Sequence, residues 1–331
     1  MRRIFSFLFS ILFLYCAANP HSTSVKIYMQ QQNFEKVIEE AEKWAKSEPK
    51  NPEPYLWISR AYTLTNRYIE GAQYLLKSID MGLKKKLEKI DKTTLFNGGI
   101  VANQEKNYDF AIRCFEKLRE VEPDSPKVYI NLAAFYQSKG DAKRAKEVLE
   151  EGQRKVKDNI LMSYYLARFY MEENPEKAEE IAKNNINKEM NRELKAKFFG
   201  LLGEIYSNKK NYEEAEKFFK EAYLNDTTNT KYLFNLALSN FLLKRYKESI
   251  TYFEKYAQKN PEEADVYEYI GRACHLTGGY DKALENYKKA LSLKEKSEIY
   301  RLIADCYSKL GKTKEALEAI KKASELEGIK K

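Results

Sequence analysis

The chain has 331 residues, with 58 lysines and arginines against 49 aspartates and glutamates (net charge +9), and only two histidines. Its 25 tyrosines and 17 phenylalanines need a core and exclude a disordered chain, while a mean hydropathy of −0.67 points to a thin, highly solvated fold. Two histidines argue against a histidine-based triad or metal centre, and no two of Cys16, Cys114, Cys274 and Cys306 form a C-x-x-C hook.

At the amino terminus Arg2 and Arg3 precede a mostly apolar run, 4–15. The run is shorter than the ~20 residues that span a bilayer and has the layout of a secretory signal peptide. Residues 1–15 are therefore set aside as a leader, and 16–24, polar from Asn19 onward, are expected to form a tether. The stretch Leu12-Phe13-Leu14-Tyr15-Cys16 resembles the lipobox of bacterial lipoproteins, which implies a diacylated Cys16 as the mature terminus. Tyr15 departs from the small residue usual before that cysteine. Cleavage after Ala17 or Ala18 and a retained anchor are the alternatives. The expected location is the periplasm or outer membrane, on a lipid anchor.

From residue 25 to 330, large and small apolar residues alternate at helical spacing in blocks near 34 residues, each reading as two short helices and a turn. The first block, near 18–51, carries Tyr28, Phe34, Val37, Ala41 and Trp44. In the second, 52–85, Pro52 and Pro54 stand where a helix starts, which proline tolerates. Extra residues 86–91 then precede the third block, 92–125; they are expected to lengthen a helix or loop, with a recognition loop as the alternative. The fourth, 126–159, closes its first helix on Gly140, a position suited to the left-handed conformation. The fifth, 160–195, is the least regular: Asn174-Pro175 shortens the turn, and the second helix is expected to start at the proline. The sixth, 196–229, is regular, while in the seventh, 230–263, the large Tyr256 is expected to splay the helix pair. In the eighth, 264–296, Gly278-Gly279 separates Tyr267, Ile270, Gly271 and Cys274 from Tyr280, Ala283, Tyr287 and Ala290. Gly271 and Ala283 are small where two helices are expected to cross, so a leucine at either would overpack the crossing. The ninth, 297–330, has Lys314, Glu315, Glu318, Lys321, Lys322 and Glu325 to turn its last helix toward water.

Catalytic constellations are missing from this pattern. Gly98-Gly99 falls where helices touch and Gly278-Gly279 in a turn, so neither is a phosphate loop. Cys114, Cys274 and Cys306 fall on apolar faces, where buried thiols are expected; a Cys274–Cys306 disulfide stays open. Charges of both signs alternate along the helices, and only residues 83–92 are dense enough in lysine to suggest nucleic acid. No enzyme activity, catalytic residue, metal, cofactor or nucleic-acid partner is expected.

The repeated unit resembles the tetratricopeptide repeat, a helix–turn–helix of 34 residues. The resemblance covers nearly all of 25–330 in nine copies and implies an all-α fold, a right-handed α-solenoid. In that family the first helices line a concave groove, and their second, fifth, ninth and twelfth positions meet ligands. Carried over, those positions imply a partner-binding set of Phe96, Ile100, Lys127, Ile130, Tyr164, Lys231, Phe234, Leu238 and Phe241. Toward the carboxyl end the same positions are charged: Glu268, Arg272, Arg301 and Asp305, expected to pair as Glu268–Arg301 or Arg272–Asp305. An apolar strip rimmed by charge fits an extended or helical segment of another protein; packing of the same side chains between repeats is the alternative. The carboxylate clamp of chaperone-binding repeats is matched only in part, by Asn97, Lys127 and Asn131, because Leu56 and Arg60 replace its first pair. The expected function is a non-catalytic protein–protein interaction scaffold or adaptor in the bacterial cell envelope. An accessory subunit of an envelope enzyme complex, in peptidoglycan or polysaccharide assembly, is the alternative.

Overall fold

The computed structural model describes residues 19–329. Among them 18 α-helices follow one another as nine helix–turn–helix pairs, without a strand. The chain divides into two compact units, Met1–Met162 and Ser163–Lys331. The first holds α1 (Pro20–Gln30) and α2 (Phe34–Ser47), α3 (Glu53–Leu64) and α4 (Tyr68–Asp80), α5 (Lys89–Gln104) and α6 (Tyr108–Val121), and α7 (Pro126–Ser138) and α8 (Ala142–Lys155). The helix α9 (Ile160–Glu173) begins at its end. The second unit continues with α10 (Pro175–Ile186), α11 (Arg192–Asn208), α12 (Tyr212–Asn225), α13 (Thr230–Leu242) and α14 (Tyr246–Lys259). It closes with α15 (Ala264–Leu276), α16 (Tyr280–Leu293), α17 (Ser297–Lys309) and α18 (Thr313–Ile329).

Local chemistry explains why each pair breaks where it does. In eight of the nine pairs the turn holds one residue in the left-handed region: Gln32, Asn66, Lys106, Gly140, Lys210, Lys244, Gly278 or Gly311. The following N–H then donates back to a carbonyl of the last turn, as Arg245 does to Asn240 at 2.9 Å and Gly279 to Cys274 at 2.8 Å, the Schellman closure. Side chains of Asn33, Asn107, Asp141 and Asn211 next accept from the first turn of the second helix and cap it. The fifth pair has no such turn: Asn174 caps α10 directly and Pro175 is its first residue, as the shortened sequence implies. At Lys244, with φ 60° and an exposed side chain, the left-handed backbone strains a residue that has a Cβ. Lys244→Gly is expected to stabilise the second unit by about 0.5–1 kcal/mol, read from urea unfolding midpoints.

Small residues of first helices meet aromatic rings of second helices. A Cβ added to Gly99 would stand 2.6 Å from the ring of Phe115, one on Gly203 2.6 Å from Phe219, and one on Gly271 2.6 Å from Tyr287. All three rings are buried, and burying each contributes about 1.5–3 kcal/mol. Gly98 likewise touches Ala72 and the Tyr68 carbonyl, a helix contact and not a ligand loop.

One boundary differs from the sequence reading. Residues 20–24, expected to belong to the tether 16–24, belong to α1. Asn19 caps that helix and Pro20 takes its first position, and the His21 Nδ1 lies 2.9 Å from Glu40 Oε2 of α2. The leader 1–15 and Cys16 lie outside the described residues. The extra residues 86–91 lengthen a helix: Leu87 is buried and α5 starts at Lys89, so their last three residues form its first turn. Cys114, Cys274 and Cys306 are unpaired and buried, and burial pushes the thiols of Cys114 and Cys306 up to about 12 and about 11. Such thiols are inert at neutral pH.

Candidate protein-binding groove

First helices of successive repeats lie side by side in each unit and bond to one another, so their outward positions form a continuous face. In the first unit Arg60 of α3 reaches Asp91 of α5 through Nε and Nη2, both at 2.8 Å. Arg60 is thereby occupied and Leu56 is buried, so the face has no carboxylate clamp at its start. Phe96 is half-buried with its ring 5.2 Å from Phe115, while Ile100 and Ile130 are half-buried and Lys127 is exposed. Asn131 turns its amide back to the Lys127 carbonyl. Two polar atoms that the sequence reading passed over, Trp57 Nε1 and Asn103 Oδ1, are buried in the same helices without a hydrogen-bond partner.

In the second unit the face is again apolar. Tyr164 is half-buried, edge-on to Phe198 at 5.6 Å and Tyr165 at 5.5 Å, and burial raises its hydroxyl above the ordinary range. Phe234 contacts Phe253, Tyr256 and Tyr269 at 5.4, 5.2 and 6.0 Å, and Phe241 contacts Tyr246 and Tyr269, both at 5.6 Å. These aromatics therefore wall the face and also wedge between repeats. Beside them a cleft of about 300 Å³ is lined by Met171, Glu204, Asn208, Lys231, Asn235 and Leu238. Glu204 sits between two cations, 2.7 Å from Arg168 and 3.0 Å from Lys231. Leu242 and Leu276, one repeat apart at the ends of α13 and α15, are exposed. They stand one position beyond those taken from the family, so the sequence reading did not include them.

The charged end pairs within itself, with partners other than those expected. Arg272 bonds Glu268 and Glu298, both at 2.7 Å, and Lys296 bonds Asp265 and Glu268. Asp305 takes His275 at 2.8 Å, and Arg301 takes Glu327 at 2.8 Å. Among the described residues no group of three His, Cys, Asp or Glu could hold a metal ion, and no helix is long and apolar enough to cross a membrane. The basic stretch 83–92 is partly neutralised, by Lys85–Glu53 and Lys92–Glu122 pairs.

Profiles of the tetratricopeptide repeat match residues 102–169, 196–229, 245–298 and 297–328, together more than half of the chain. The chain belongs to the tetratricopeptide-repeat family. The matches pass over residues 170–195, where this tetratricopeptide-repeat chain has its shortened turn. Among solved structures, the C-terminal part of a TPR repeat-containing protein from Cytophaga hutchinsonii is similar with a TM-score of 0.56 at 20% identity, covering 68% of this chain and 93% of that one. A chain of the APC/C hetero-tetramer Cut9–Hcn1 has a TM-score of 0.50 at 17% identity, over 92% of this chain and 59% of that one. YrrB, a TPR protein with an unusual peptide-binding site, has a TM-score of 0.48 at 19% identity, over 56% and 94%. The first two likenesses are of fold, an all-α solenoid.

Proposed function

We propose that this protein is a non-catalytic scaffold of the bacterial cell envelope, binding a segment of another protein on the first-helix face of its second unit. One observation carries the reading. Leu242 and Leu276 are exposed at the ends of α13 and α15, Leu242 directly follows half-buried Phe241, and the cleft that Leu238 lines is edged by Asn208 and Asn235. Leucine and phenylalanine side chains anchor apolar residues of a partner, and each amide can donate to and accept from its backbone. The flanking charges are already paired, so apolar fit and backbone bonding select the ligand more than net charge does. Arg2, Arg3, the apolar run 4–15 and Cys16 support export and a lipid anchor, which would bring the array to the membrane surface.

Photo-crosslinking amino acids at Leu242 and Leu276 in intact cells test the groove, with exposed Lys220 of α12 as the control. Labelling of one discrete protein from both leucine positions and not from Lys220 is expected; equal labelling at all three would overturn the groove. Mass spectrometry of the mature amino terminus tests the anchor. Diacylated Cys16 is the expected result, and an intact Met1 would refute export by this route.

A further inference from the structure

Inside the second unit the outer face of a second helix is covered by the first helix of the next repeat. In α16, Leu284 and Tyr287 are 6% and 0% exposed and share one cluster with Ile299, Ile303 and Cys306 of α17. One repeat earlier, Phe253 of α14 is buried together with Val266 and Ile270 of α15. The covering helices present apolar or small residues at the same spacing, i, i+4 and i+7: Val266, Ile270 and Ala273 in α15, and Ile299, Ile303 and Cys306 in α17. The next residue of α17, Tyr307, has its ring centroid 5.8 Å from the Lys288 ammonium of α16.

The last helix repeats that face without a cover. Leu317 and Ile320 of α18, 63% and 49% exposed, occupy the positions of Leu284 and Tyr287, with buried Ala316 and Ala323 in step with Ala283 and Ala290. Lys321 stands where Lys288 stands, mostly in solvent. Among the described residues no helix lies on this side of α18. Charged neighbours solvate the rest of the helix, as the sequence reading expects, but this stripe keeps the chemistry of an internal interface. We propose that the outer face of α18 is a docking site for an amphipathic helix of another protein, one carrying apolar residues at i, i+4 and i+7 and an aromatic residue at i+8 to lie under Lys321. The interfaces α14–α15 and α16–α17 within the second unit define the occupant, because α18 continues their surface. The site is separate from the groove of the second unit and does not depend on it.

The test uses the full chain and a defined probe: a fluorescently labelled, hydrocarbon-stapled peptide with the sequence of residues 297–309 and Cys306→Ala, followed by anisotropy. Saturable binding is expected. Leu317→Glu with Ile320→Glu should weaken it roughly tenfold, since two apolar anchors are lost, and Leu238→Glu in the groove should leave it unchanged. Both altered end positions are exposed, and circular dichroism checks that the double variant stays folded. Absence of binding, binding equal to that of a scrambled peptide, or binding indifferent to the end-face pair would overturn the proposal. Light scattering of the wild-type chain adds a further arm: self-association abolished by the same pair would make the occupant a second copy, which also overturns it.

Discussion

Asp91→Ala is expected to destabilise the first unit by about 3 kcal/mol, because it strands a buried guanidinium. Asp91 is fully buried and holds Arg60 with a two-point contact, both bonds at 2.8 Å. Burial works against the Arg60 charge, and the bonds to Asp91 and Glu88 more than offset it, raising the guanidinium above its ordinary range. Without Asp91 the desolvation remains and most of the compensation goes. The same carboxylate accepts from the Glu88 N–H at 2.8 Å and closes the capping box of α5, so the start of that helix weakens too. Glu88 still reaches Arg60 at 2.8 Å, which keeps the loss near the lower end of the range for broken buried pairs. Urea unfolding reads the effect, and Glu88→Ala, at a largely exposed partner, should cost much less. Replacing both members, Arg60→Met with Asp91→Leu, should recover much of the loss, since no charge is then left buried. An Asp91→Ala chain as stable as wild type would mean that solvent reaches Arg60.

The helix pairs were legible because their signals are local. Spacing of Tyr267, Gly271 and Tyr287, and Gly140 or Gly278 within a turn, act over a few residues, as do the capping Asn and Asp residues that the structure adds. The same kind of signal, Asn19 before Pro20, marked the start of α1, but the polar composition of 19–24 masked it. What local signals do not carry is the choice of partner between repeats. Arg272 had carboxylates within reach on its own helix and on the next, and took Glu268 and Glu298, while Asp305 went to His275. The candidate groove shows the same division. Register placed Phe96, Phe234 and Phe241 on the first-helix face, yet how far their rings sink between helices depends on Phe115 and Tyr269, which only the packed structure supplies. Leu242 and Leu276 emerge at helix ends, where the turn geometry decides which side chains face water.

Gly271→Leu is expected to destabilise the second unit by about 2 kcal/mol net, through a clash that the structure cannot relax cheaply. A Cβ at Gly271 would lie 2.6 Å from two ring carbons of Tyr287. That ring is fully buried, its hydroxyl has no partner, and His275 packs edge-on to it at 6.5 Å. The ring therefore cannot swing aside, and overpacking of this kind costs about 1–3 kcal/mol. Leucine also favours the helix over glycine by up to about 1 kcal/mol, which offsets part of the clash. In a repeat array the loss should appear as an earlier transition of the neighbouring repeats, because each repeat is stabilised mainly by the next. The decisive measurement is a double-mutant cycle. Tyr287→Ala alone leaves a cavity and should cost about 3 kcal/mol or more; combined with Gly271→Leu, the leucine fills part of that space. The double variant should then be more stable than the sum of the two losses implies, by more than about 0.5 kcal/mol. Strict additivity would mean that the two positions do not meet, and the crossing of α15 with α16 would have to be drawn differently.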